Sequence, residues 1–543
     1  MHSFQASEIL SLMLFNNFSN LDILILFLYL IFVMFAGLYA SWRMNEHSKD
    51  YFLAGRNMGW LAVGASLFAT NISGEHFIGL AGSGASRGIA VGHFEWFAAF
   101  AIILLGWVFV PLYLKAGVYT VPEFLELRFN KASRMYLTSI SIVAYILTKL
   151  SVTLFAGGLL LNALLGWDIY TSTVVMVVLT GVYTIIGGLG AVIYTQLIQF
   201  VFLIAGSLLI TYFGLQQVGG FSGLRASLPQ EYFCMFKPMS DPDFPWTGII
   251  FGAPILAIWY WCTDQYIVQR VLGARDICVA RTATIFAGFL KLLPVFLWVI
   301  PGMIALALYP GINGDNAYPT LIAGTLIPSG LRGLVMAGIL AALMSSLASL
   351  FNSTATLYTM DYYRHFHPQA SERKLVLVGR LSTMIIVITA ILWVPLTKLI
   401  SSQIYIYLQS VQAYISPPIT AVFLFGIFSK RITGKAAIYT LIFGGIIGAS
   451  RLIMELVGKS FSVSFGYLQW FVEINFLHFA VFLFILSVAA LYFVSLLSTV
   501  KDSAGFMNIK IKTTLLEKNV PSIAFSVLLA LIIFSLWGVF SGI

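Results

Sequence analysis

A polar, glycine-containing break interrupts an apolar stretch that runs from about residue 58 to residue 80. The break reads Ala69-Thr-Asn-Ile-Ser-Gly-Glu-His76. Lipid offers no hydrogen-bond partners, so backbone freed from a helix at this depth survives only where it lines a protein cavity or holds an ion. Such breaks bind ions and substrates in secondary transporters. The alternative is a glycine kink between packed helices, whose carbonyls are satisfied by Ser and Thr.

A second polar cluster lies within another apolar segment, at about residues 341–354. At helical spacing, small and hydroxyl-bearing residues share one face: Ala342, Ser345, Ser346 and Ser349. One interpretation is close helix packing through small residues. The other is a hard-cation site, because hydroxyls together with carbonyls freed by the break supply the neutral oxygens that sodium prefers. Neither cluster is decisive alone, but the two together favour sodium binding.

Ionisable residues inside the apolar segments are few, and such residues are functional candidates by default. Glu95 begins the third segment, and Asp264 and Gln265 follow a run of aromatic residues. Lys291 has about ten apolar residues on each side and no acidic partner in its own segment. That isolation favours a functional role for Lys291. Lys149 is interpreted instead as a snorkelling or capping residue.

These residues must be positioned by membrane-spanning helices. The chain has 543 residues, of which 59% are hydrophobic and only 9% charged, a composition that excludes a soluble globular protein and a disordered one. At roughly 20 apolar residues per crossing, about fourteen segments are predicted. They lie near residues 21–42, 58–83, 95–114, 135–164, 168–188, 191–216, 247–270, 280–308, 331–361, 376–397, 403–428, 433–457, 472–497 and 521–541.

The excess of basic residues follows the predicted loops. If the N-terminus lies outside the cell, the inside loops carry 20 Lys and Arg residues and the outside loops carry six. The positive-inside rule therefore predicts a multi-pass protein of the plasma or inner membrane with both termini extracytoplasmic. The first apolar segment is expected to be a retained helix, because no small-residue cleavage site follows it.

Several function classes are not expected. The net charge of +9 is explained by topology rather than by nucleic-acid binding. The sequence contains no Walker loop, no dinucleotide-binding fingerprint and no HExxH motif, so neither an enzyme nor an ATP-driven pump is predicted. The expected partners are the lipid bilayer and a transported solute, and no obligate protein partner is evident.

Five motifs resemble those of the solute:sodium symporter family, and the sodium/glucose cotransporter branch most of all. They are Asp50-Tyr-Phe-Leu-Ala-Gly-Arg56, Gly64-Ala-Ser-Leu-Phe-Ala-Thr-Asn-Ile72, His76-Phe-Ile-Gly-Leu-Ala-Gly82, Trp259-Tyr-Trp-Cys-Thr-Asp-Gln265 with Gln269-Arg270, and Met344-Ser-Ser-Leu347 through Asn352-Ser353 to Met360-Asp361. The similarity runs in register from about residue 48 to residue 455.

The resemblance implies an all-α membrane protein with the five-plus-five inverted-repeat fold of bacterial neurotransmitter:sodium symporters. On that basis, residues 1–56 hold an extracellular N-terminus, an extra first helix and a cytoplasmic loop. Residues 57–428 form the transport core, and residues 429–543 add three C-terminal helices.

The resemblance also implies two binding sites. The sodium ligands would be the backbone oxygens of Ala69, Ile72 and Ala342 and the hydroxyls of Ser345 and Ser346. The sugar contacts would be Asn71, His76, Glu95, Lys291 and Gln409, with Tyr260 as the inner gate and Trp261 beside the sugar. Such a set suits a neutral polyol, because carboxylates accept from hydroxyls, Lys donates to them, and amides do both.

The chain departs from its relatives at positions that affect substrate choice and stoichiometry. Ala257 stands where relatives have Thr or Asn, and Ile406 stands where some have Asp. Gln196 stands where relatives thought to move two sodium ions have Asp, and Ala348 where they have a hydroxyl residue. Thr70 is among the few oxygen donors left nearby. These replacements predict one sodium ion per sugar.

The expected function is sodium-coupled symport of a neutral monosaccharide similar to glucose or galactose, by alternating access. Two alternatives stay open. One is a sugar sensor or receptor that binds the ligand without accumulating it, and the other is a sodium/myo-inositol or other polyol symporter.

Overall fold

The computed structural model describes residues 19–42, 47–312, 314–324, 326–395, 404–461, 463–498 and 519–541. Within these ranges the regular structure is helical. The extracytoplasmic N-terminus predicted for residues 1–18 and the basic loop predicted at residues 501–518 lie outside the described residues.

The α-helices of the first half of the chain are Asn20–Trp42, Ser48–Leu53, Trp60–Asn71, Ala81–Arg87, His93–Leu104, Val110–Ala116, Val121–Arg128, Lys131–Ala144, Ser151–Leu165, Ile169–Gln217, Gly220–Ser227, Trp246–Phe251, Ala253–Ile258 and Gln265–Leu272. Those of the second half are Ile277–Leu290, Ile300–Leu308, Ala317–Ala323, Leu331–Leu357, Arg364–Phe366, Glu372–Trp393, Ile404–Phe428, Gly434–Phe461, Gln469–Glu473, Phe476–Leu497 and Val520–Val539. Turns of π-helix occupy Glu75–Leu80, Leu105–Phe109, Tyr145–Leu150, Trp259–Thr263, Val295–Val299 and Tyr358–Tyr363. Short 3-10 turns occupy Ala54–Arg56, Gly88–Gly92, Gln230–Phe233, Gly314–Asn316 and Gly466–Leu468.

In the described part of the chain, 12 helical runs are long and apolar enough to cross a membrane. This count does not confirm the predicted fourteen crossings. The two longest runs, Glu75–Ala116 with 42 residues and Ile169–Gln217 with 49, exceed the roughly 20 residues of one crossing. Each contains a glycine with non-helical backbone: Gly88 with φ 74° and ψ −153°, and Gly188 with φ 54° and ψ −148°. The number of runs is therefore not a count of crossings.

Two helices are broken in the middle. The first, here named the broken helix, comprises Trp60–Asn71 and Glu75–Leu80 on either side of Ile72–Gly74. Ile72 has extended backbone, with φ −74° and ψ 116°. The second break is at Asp264, whose φ of −83° and ψ of 122° end one helix and whose side chain caps the next by accepting from the Tyr266 amide. Both breaks fall where the sequence predicts loosened backbone or a buried charge.

The helix Leu331–Leu357, here named the serine helix, lies at the centre of the bundle. It packs against the broken helix and against Ile169–Gln217. In its apolar stretch of 18 residues, 94% of the residues are buried. The corresponding share is 28% in Phe476–Leu497 and 17% in Val520–Val539. The last two helices therefore lie at the periphery of the bundle, and the serine helix lies in its core.

Gly74 allows the broken helix to approach its neighbours closely. A Cβ atom at this position would lie 2.3 Å from the Cβ of Ala156 and 3.2 Å from a methyl group of Leu343. Because atoms cannot approach to 2.3 Å without a shift of backbone, any larger residue at Gly74 would push the break away from the helix Ser151–Leu165, which carries Ala156.

Candidate functional site

All seven predicted substrate contacts line one buried cavity beside the break. These are Asn71, His76, Glu95, Tyr260, Trp261, Lys291 and Gln409. The cavity is lined in addition by residues that the sequence did not single out as contacts: Glu75, Phe94, Ala98, Ala253, Leu256, Ala257, Tyr405 and Gln412. Five helical elements therefore bring the predicted set together: the broken helix, His93–Leu104, Trp259–Thr263, the end of Ile277–Leu290 and Ile404–Phe428.

Asn71 connects the two sides of the cavity. Its side-chain oxygen accepts from Lys291 Nζ at 2.7 Å, and its side-chain nitrogen donates to Tyr260 Oη at 3.1 Å. Asn71 is the last residue of its helical segment, so its position depends on the break that follows. Lys291 Nζ also lies 5.6 Å from the centroid of the Trp261 ring.

Glu95 is the acidic partner that Lys291 lacks in its own segment. The Lys291 ammonium donates to Glu95 Oε2, and both side chains are almost fully buried. His76 Nε2 lies 3.5 Å from the other carboxylate oxygen, Glu95 Oε1. Burying a charge is costly unless it is paired and hydrogen-bonded, so these three groups stabilise one another at the edge of the cavity.

The cavity is small in this conformation. Its volume is about 50 Å³, enough for a few water molecules and well below the roughly 300–1,000 Å³ of pockets that hold drug-sized ligands. On one side, Phe94 packs against Phe244 and Tyr405. Nearby, Arg87 forms an ion pair of 2.5 Å with Asp243. These contacts must loosen before a sugar-sized molecule enters from that side.

Five oxygens converge between the broken helix and the serine helix. Ser345 Oγ donates to the Ala69 carbonyl at 2.7 Å and to the Ala342 carbonyl at 2.8 Å. Ser346 Oγ donates to the Ile72 carbonyl at 3.0 Å. Ile72 belongs to the break, and the described part of the structure therefore unites the two polar clusters that the sequence places about 270 residues apart.

Gln196 lies beside this oxygen cluster and is completely buried. Its side-chain nitrogen has two hydrogens to share among three acceptors: Thr70 Oγ1 at 3.0 Å, Ser349 Oγ at 2.7 Å and the Ser345 carbonyl at 3.0 Å. Its side-chain oxygen accepts from Ser66 Oγ at 2.5 Å. The amide group is thus hydrogen-bonded through both its nitrogen and its oxygen.

The snorkelling interpretation of Lys149 is wrong. Its side chain is 9% exposed and its ammonium group forms an ion pair of 2.5 Å with Asp264 Oδ2. The same ammonium group lies over the rings of Tyr260 at 4.5 Å and Tyr266 at 3.8 Å. Tyr266 Oη in turn donates to the Thr70 carbonyl at 2.7 Å. Contacts therefore run without interruption from Tyr260, through Lys149 and Tyr266, to the backbone of Thr70 beside the five-oxygen cluster.

The two departures that were expected to affect substrate choice, Ala257 and Ile406, lie in different places. Ala257 lines the cavity and offers it no polar group. Ile406 lines instead a neighbouring polar groove of about 430 Å³ and does not line the cavity. A change at Ala257 is therefore placed to affect substrate choice directly.

Comparison with known proteins agrees with this architecture. The family model "Sodium:solute symporter family" matches residues 51–444. The chain is 43% identical to mouse sodium/glucose cotransporter 4 over 472 residues, which cover 80% of this chain and 69% of the relative. It is 41% identical to mouse sodium/glucose cotransporter 1, covering 88% of this chain and 78% of the relative. It is also 41% identical to human sodium/myo-inositol cotransporter, over 81% of this chain and 68% of the relative.

Solved structures give the same fold. A Na⁺-coupled sialic acid symporter in a substrate-bound, outward-open state superposes with a TM-score of 0.75 at 25% identity, over 89% of this chain and 99% of that one. A nucleobase-cation-symport-1 family transporter superposes with a TM-score of 0.52 at 15% identity, over 85% of this chain and 97% of that one. The second likeness concerns the fold alone.

The family model covers more than half of the chain, and the curated relatives share 41% to 43% of its aligned residues. Relatives and family are transporters rather than enzymes. This chain therefore belongs to the sodium:solute symporter family, whose members are multi-pass membrane proteins that couple solute transport to the co-transported ion sodium.

Proposed function

We propose that this protein is a sodium-driven symporter of a neutral monosaccharide similar to glucose or galactose. The main support for the proposal is the break at residues 72–74, which the cavity and the five-oxygen cluster share. Asn71 on one side of it lines the cavity, and the Ile72 carbonyl within it meets Ser346 in the five-oxygen cluster. A substrate cavity and a set of neutral oxygens are therefore built on the same few residues.

The cavity has the chemistry of a polyol site. Lys291 donates hydrogen bonds, Glu95 accepts them, and the amides of Asn71 and Gln409 do both. The Trp261 ring offers an apolar surface that suits the C–H face of a sugar. We assign these residues, with His76 and the gate residue Tyr260, as the substrate contacts.

The five-oxygen cluster has the chemistry of a sodium site. Its ligands would be the carbonyls of Ala69, Ile72 and Ala342 and the hydroxyls of Ser345 and Ser346. In the conformation described here, the two hydroxyls donate to these carbonyls. When sodium binds, each hydroxyl would rotate and present its oxygen to the ion, because a hydroxyl both donates and accepts. The ion would then hold the broken helix to the serine helix.

Coupling follows from that arrangement. Sodium would stabilise the conformation in which the break is held against the serine helix, and the same conformation would complete the substrate site around Asn71. A ligand shifts an equilibrium only by its differential affinity for the two states. Sodium entering from outside would thus raise sugar affinity, and its release inside would lower it.

We also propose the arrangement of the whole chain. Residues 57–428 would form the five-plus-five inverted-repeat core, with one helix before it and three after it. The strongly buried serine helix and the exposed C-terminal helices support this division. The distribution of basic residues supports a cell-membrane location with both termini extracytoplasmic.

The proposed stoichiometry is one sodium ion per sugar. Gln196 provides the argument, because its amide nitrogen donates to Thr70 and Ser349. A cation near these oxygens would have to displace the amide and would find no carboxylate there. Ala348 adds no oxygen from its side chain.

A symporter of myo-inositol is the second candidate, favoured by the 41% identity to human sodium/myo-inositol cotransporter. A competition panel distinguishes the two. Sodium-driven uptake of labelled glucose into proteoliposomes would be measured against unlabelled glucose, galactose, mannose and myo-inositol. The proposal expects glucose or galactose to compete best, and a clear preference for myo-inositol would replace it with the second candidate.

A further inference from the structure

Glu75 is a cavity-lining carboxylate that the assigned substrate contacts do not include. It is the first residue after the break, at the start of Glu75–Leu80, and its side chain is 13% exposed. Its backbone amide donates to Ser73 Oγ at 3.2 Å, so the start of this helical turn is capped without the Glu75 carboxylate. The side chain is therefore not required by local backbone structure.

Three other buried carboxylates in the described helices have a strong cationic partner, and a fourth, Asp22, accepts instead from Ser19 and from the amides of Gly330 and Gly333. The pairs are Glu95 with Lys291, Asp264 with Lys149 at 2.5 Å and Asp361 with Arg134 at 2.7 Å. Glu75 has no Lys or Arg within 4.0 Å among the described residues. Its one basic neighbour at that range is His76, whose Nδ1 lies 3.6 Å from Glu75 Oε1. No hydrogen bond from a described residue reaches the Glu75 carboxylate.

Two acceptors beside Glu75 are already engaged. The Glu95 carboxylate receives the Lys291 ammonium group on one oxygen and faces His76 on the other. The Asn71 oxygen receives Lys291. Glu75, whose side chain is 13% exposed, is the carboxylate of the cavity lining that has acceptor positions left for a ligand. Hydrogen bonds to a charged group are among the stronger ones.

Part of the cavity wall is apolar and cannot compete for the same ligand groups. It consists of Ala98, Ala253, Leu256 and Ala257. A polyol in the cavity would consequently turn its hydroxyls toward the break and its C–H surface toward this wall. That orientation brings ligand hydroxyls to Glu75.

We propose that Glu75 is a specificity-determining substrate contact, whose carboxylate accepts hydrogen bonds from two adjacent hydroxyls of the bound polyol. This proposal deepens the proposed function and rests on it. A carboxylate has two oxygens and accepts from two donors at once. It therefore selects ligands in which both hydroxyls are present and point the same way. Glu75 is not among the five oxygens assigned to sodium, so its replacement removes no proposed sodium ligand.

The test uses the full-length transporter in proteoliposomes with a sodium gradient. Competition by the best neutral sugar and by each of its monodeoxy analogues would be measured for the wild type, Glu75→Gln and Glu75→Ala. The control is Glu473→Gln, which changes a carboxylate of the neighbouring groove but not of the cavity. Size-exclusion profiles and the sodium dependence of uptake would establish that each variant is folded.

In the wild type, one or two deoxy analogues should bind about 10-fold or more weakly than the parent sugar, because a site built to bind a hydroxyl rejects an analogue that lacks it. In Glu75→Ala the same analogues should bind about as well as the parent, and Glu75→Gln, which keeps one acceptor, should lie between. The control variant should discriminate like the wild type.

Unchanged discrimination against every deoxy analogue in both Glu75 variants, with uptake intact, would overturn this proposal and leave the proposed function standing. A wild-type protein that takes up no sugar with sodium would overturn the proposed function and this proposal together. If Glu75→Ala does not fold, the isosteric Glu75→Gln decides the outcome, since the proposal requires its discrimination to fall below that of the wild type.

Discussion

Asn71 and Ile72 are adjacent in the chain but belong to different clusters. The Asn71 side chain lines the cavity, where its oxygen accepts from Lys291 at 2.7 Å. The Ile72 carbonyl accepts from Ser346 Oγ at 3.0 Å in the oxygen cluster. Consecutive Cα atoms are about 3.8 Å apart, so a displacement of the break moves both clusters together. This adjacency is the physical basis for coupling an ion to a solute.

Removing either hydroxyl of the oxygen cluster should lower the affinity of the transporter for sodium. We expect Ser345→Ala and Ser346→Ala each to raise the sodium concentration for half-maximal uptake by about 5- to 150-fold, equivalent to about 1–3 kcal/mol for a lost contact to a charge. Sodium titration of sugar uptake measures this. Ser382→Ala is the matched control, because Ser382 donates within its own helix to Val378. If both test variants titrate like the wild type, the serines serve packing alone.

Removing the cavity lysine should abolish sugar uptake while the protein still reaches the membrane. Lys291→Ala would leave the buried Glu95 carboxylate without its cation and would free the Asn71 oxygen. Breaking a buried pair costs about 3–5 kcal/mol, or at least about 100-fold in kcat/KM for uptake. Gln409→Ala should cause a smaller loss, of about 5- to 150-fold for about 1–3 kcal/mol. Normal sugar affinity in either variant would remove that residue from the proposed site.

The ring of Tyr260 should matter more than its hydroxyl. Tyr260→Phe removes the hydrogen bond from Asn71 at 3.1 Å, a net loss of about 1 kcal/mol, or about 5-fold in sugar affinity. Tyr260→Ala also removes the ring beneath the Lys149 ammonium group and the apolar cover of the cavity. Concentration dependence of uptake compares the two variants. An equal loss in both would assign the role to the hydroxyl.

The ion pair between Lys149 and Asp264 should behave as a unit. Asp264→Asn or Lys149→Met alone leaves a buried charge unpaired, so each should lower the melting temperature of the purified protein and reduce uptake. The double variant should be less stable than the wild type by less than the sum of the two single effects. A thermal-stability cycle tests this, with Glu473→Gln as a surface control. Additive losses would mean that the two residues act independently.

The stoichiometry should be one sodium ion per sugar. Reversal potentials in proteoliposomes with known sodium and sugar gradients give this ratio. One charge moving through roughly 100 mV provides about 2.3 kcal/mol, or roughly fifty-fold accumulation. A fitted ratio near two would show that the Gln196 amide does not block a second ion.

Much of the site follows from the sequence, because breaks and charges are rare inside apolar helices. The break at Ala69 to His76 and the face carrying Ser345 and Ser346 are visible as polar residues where lipid would exclude them. That the break and the serine face contact each other depends on the tertiary fold. The family motifs predict this contact, whereas composition alone does not. Glu75 stands in the break itself, but the sequence does not show whether its carboxylate caps the following turn or lines the cavity, and the structure places it in the cavity lining.

Other features could not be read from the chain. The partner of Lys149 is Asp264, 115 residues away, and only helix packing places them together, so snorkelling was the simpler interpretation of Lys149. Apolar periodicity also does not show where a helix is interrupted, and the non-helical backbone of Gly188 within Ile169–Gln217 is visible only in the structure.

The central claim is that sodium drives accumulation of a sugar. The most direct test loads purified transporter into proteoliposomes, imposes an inward sodium gradient and follows labelled glucose and galactose over time. The account predicts that one of these sugars rises transiently above its external concentration, and that a sodium ionophore abolishes this overshoot. Uptake that only equilibrates, or saturable sugar binding without any accumulation, would contradict the account and favour a sensor or receptor.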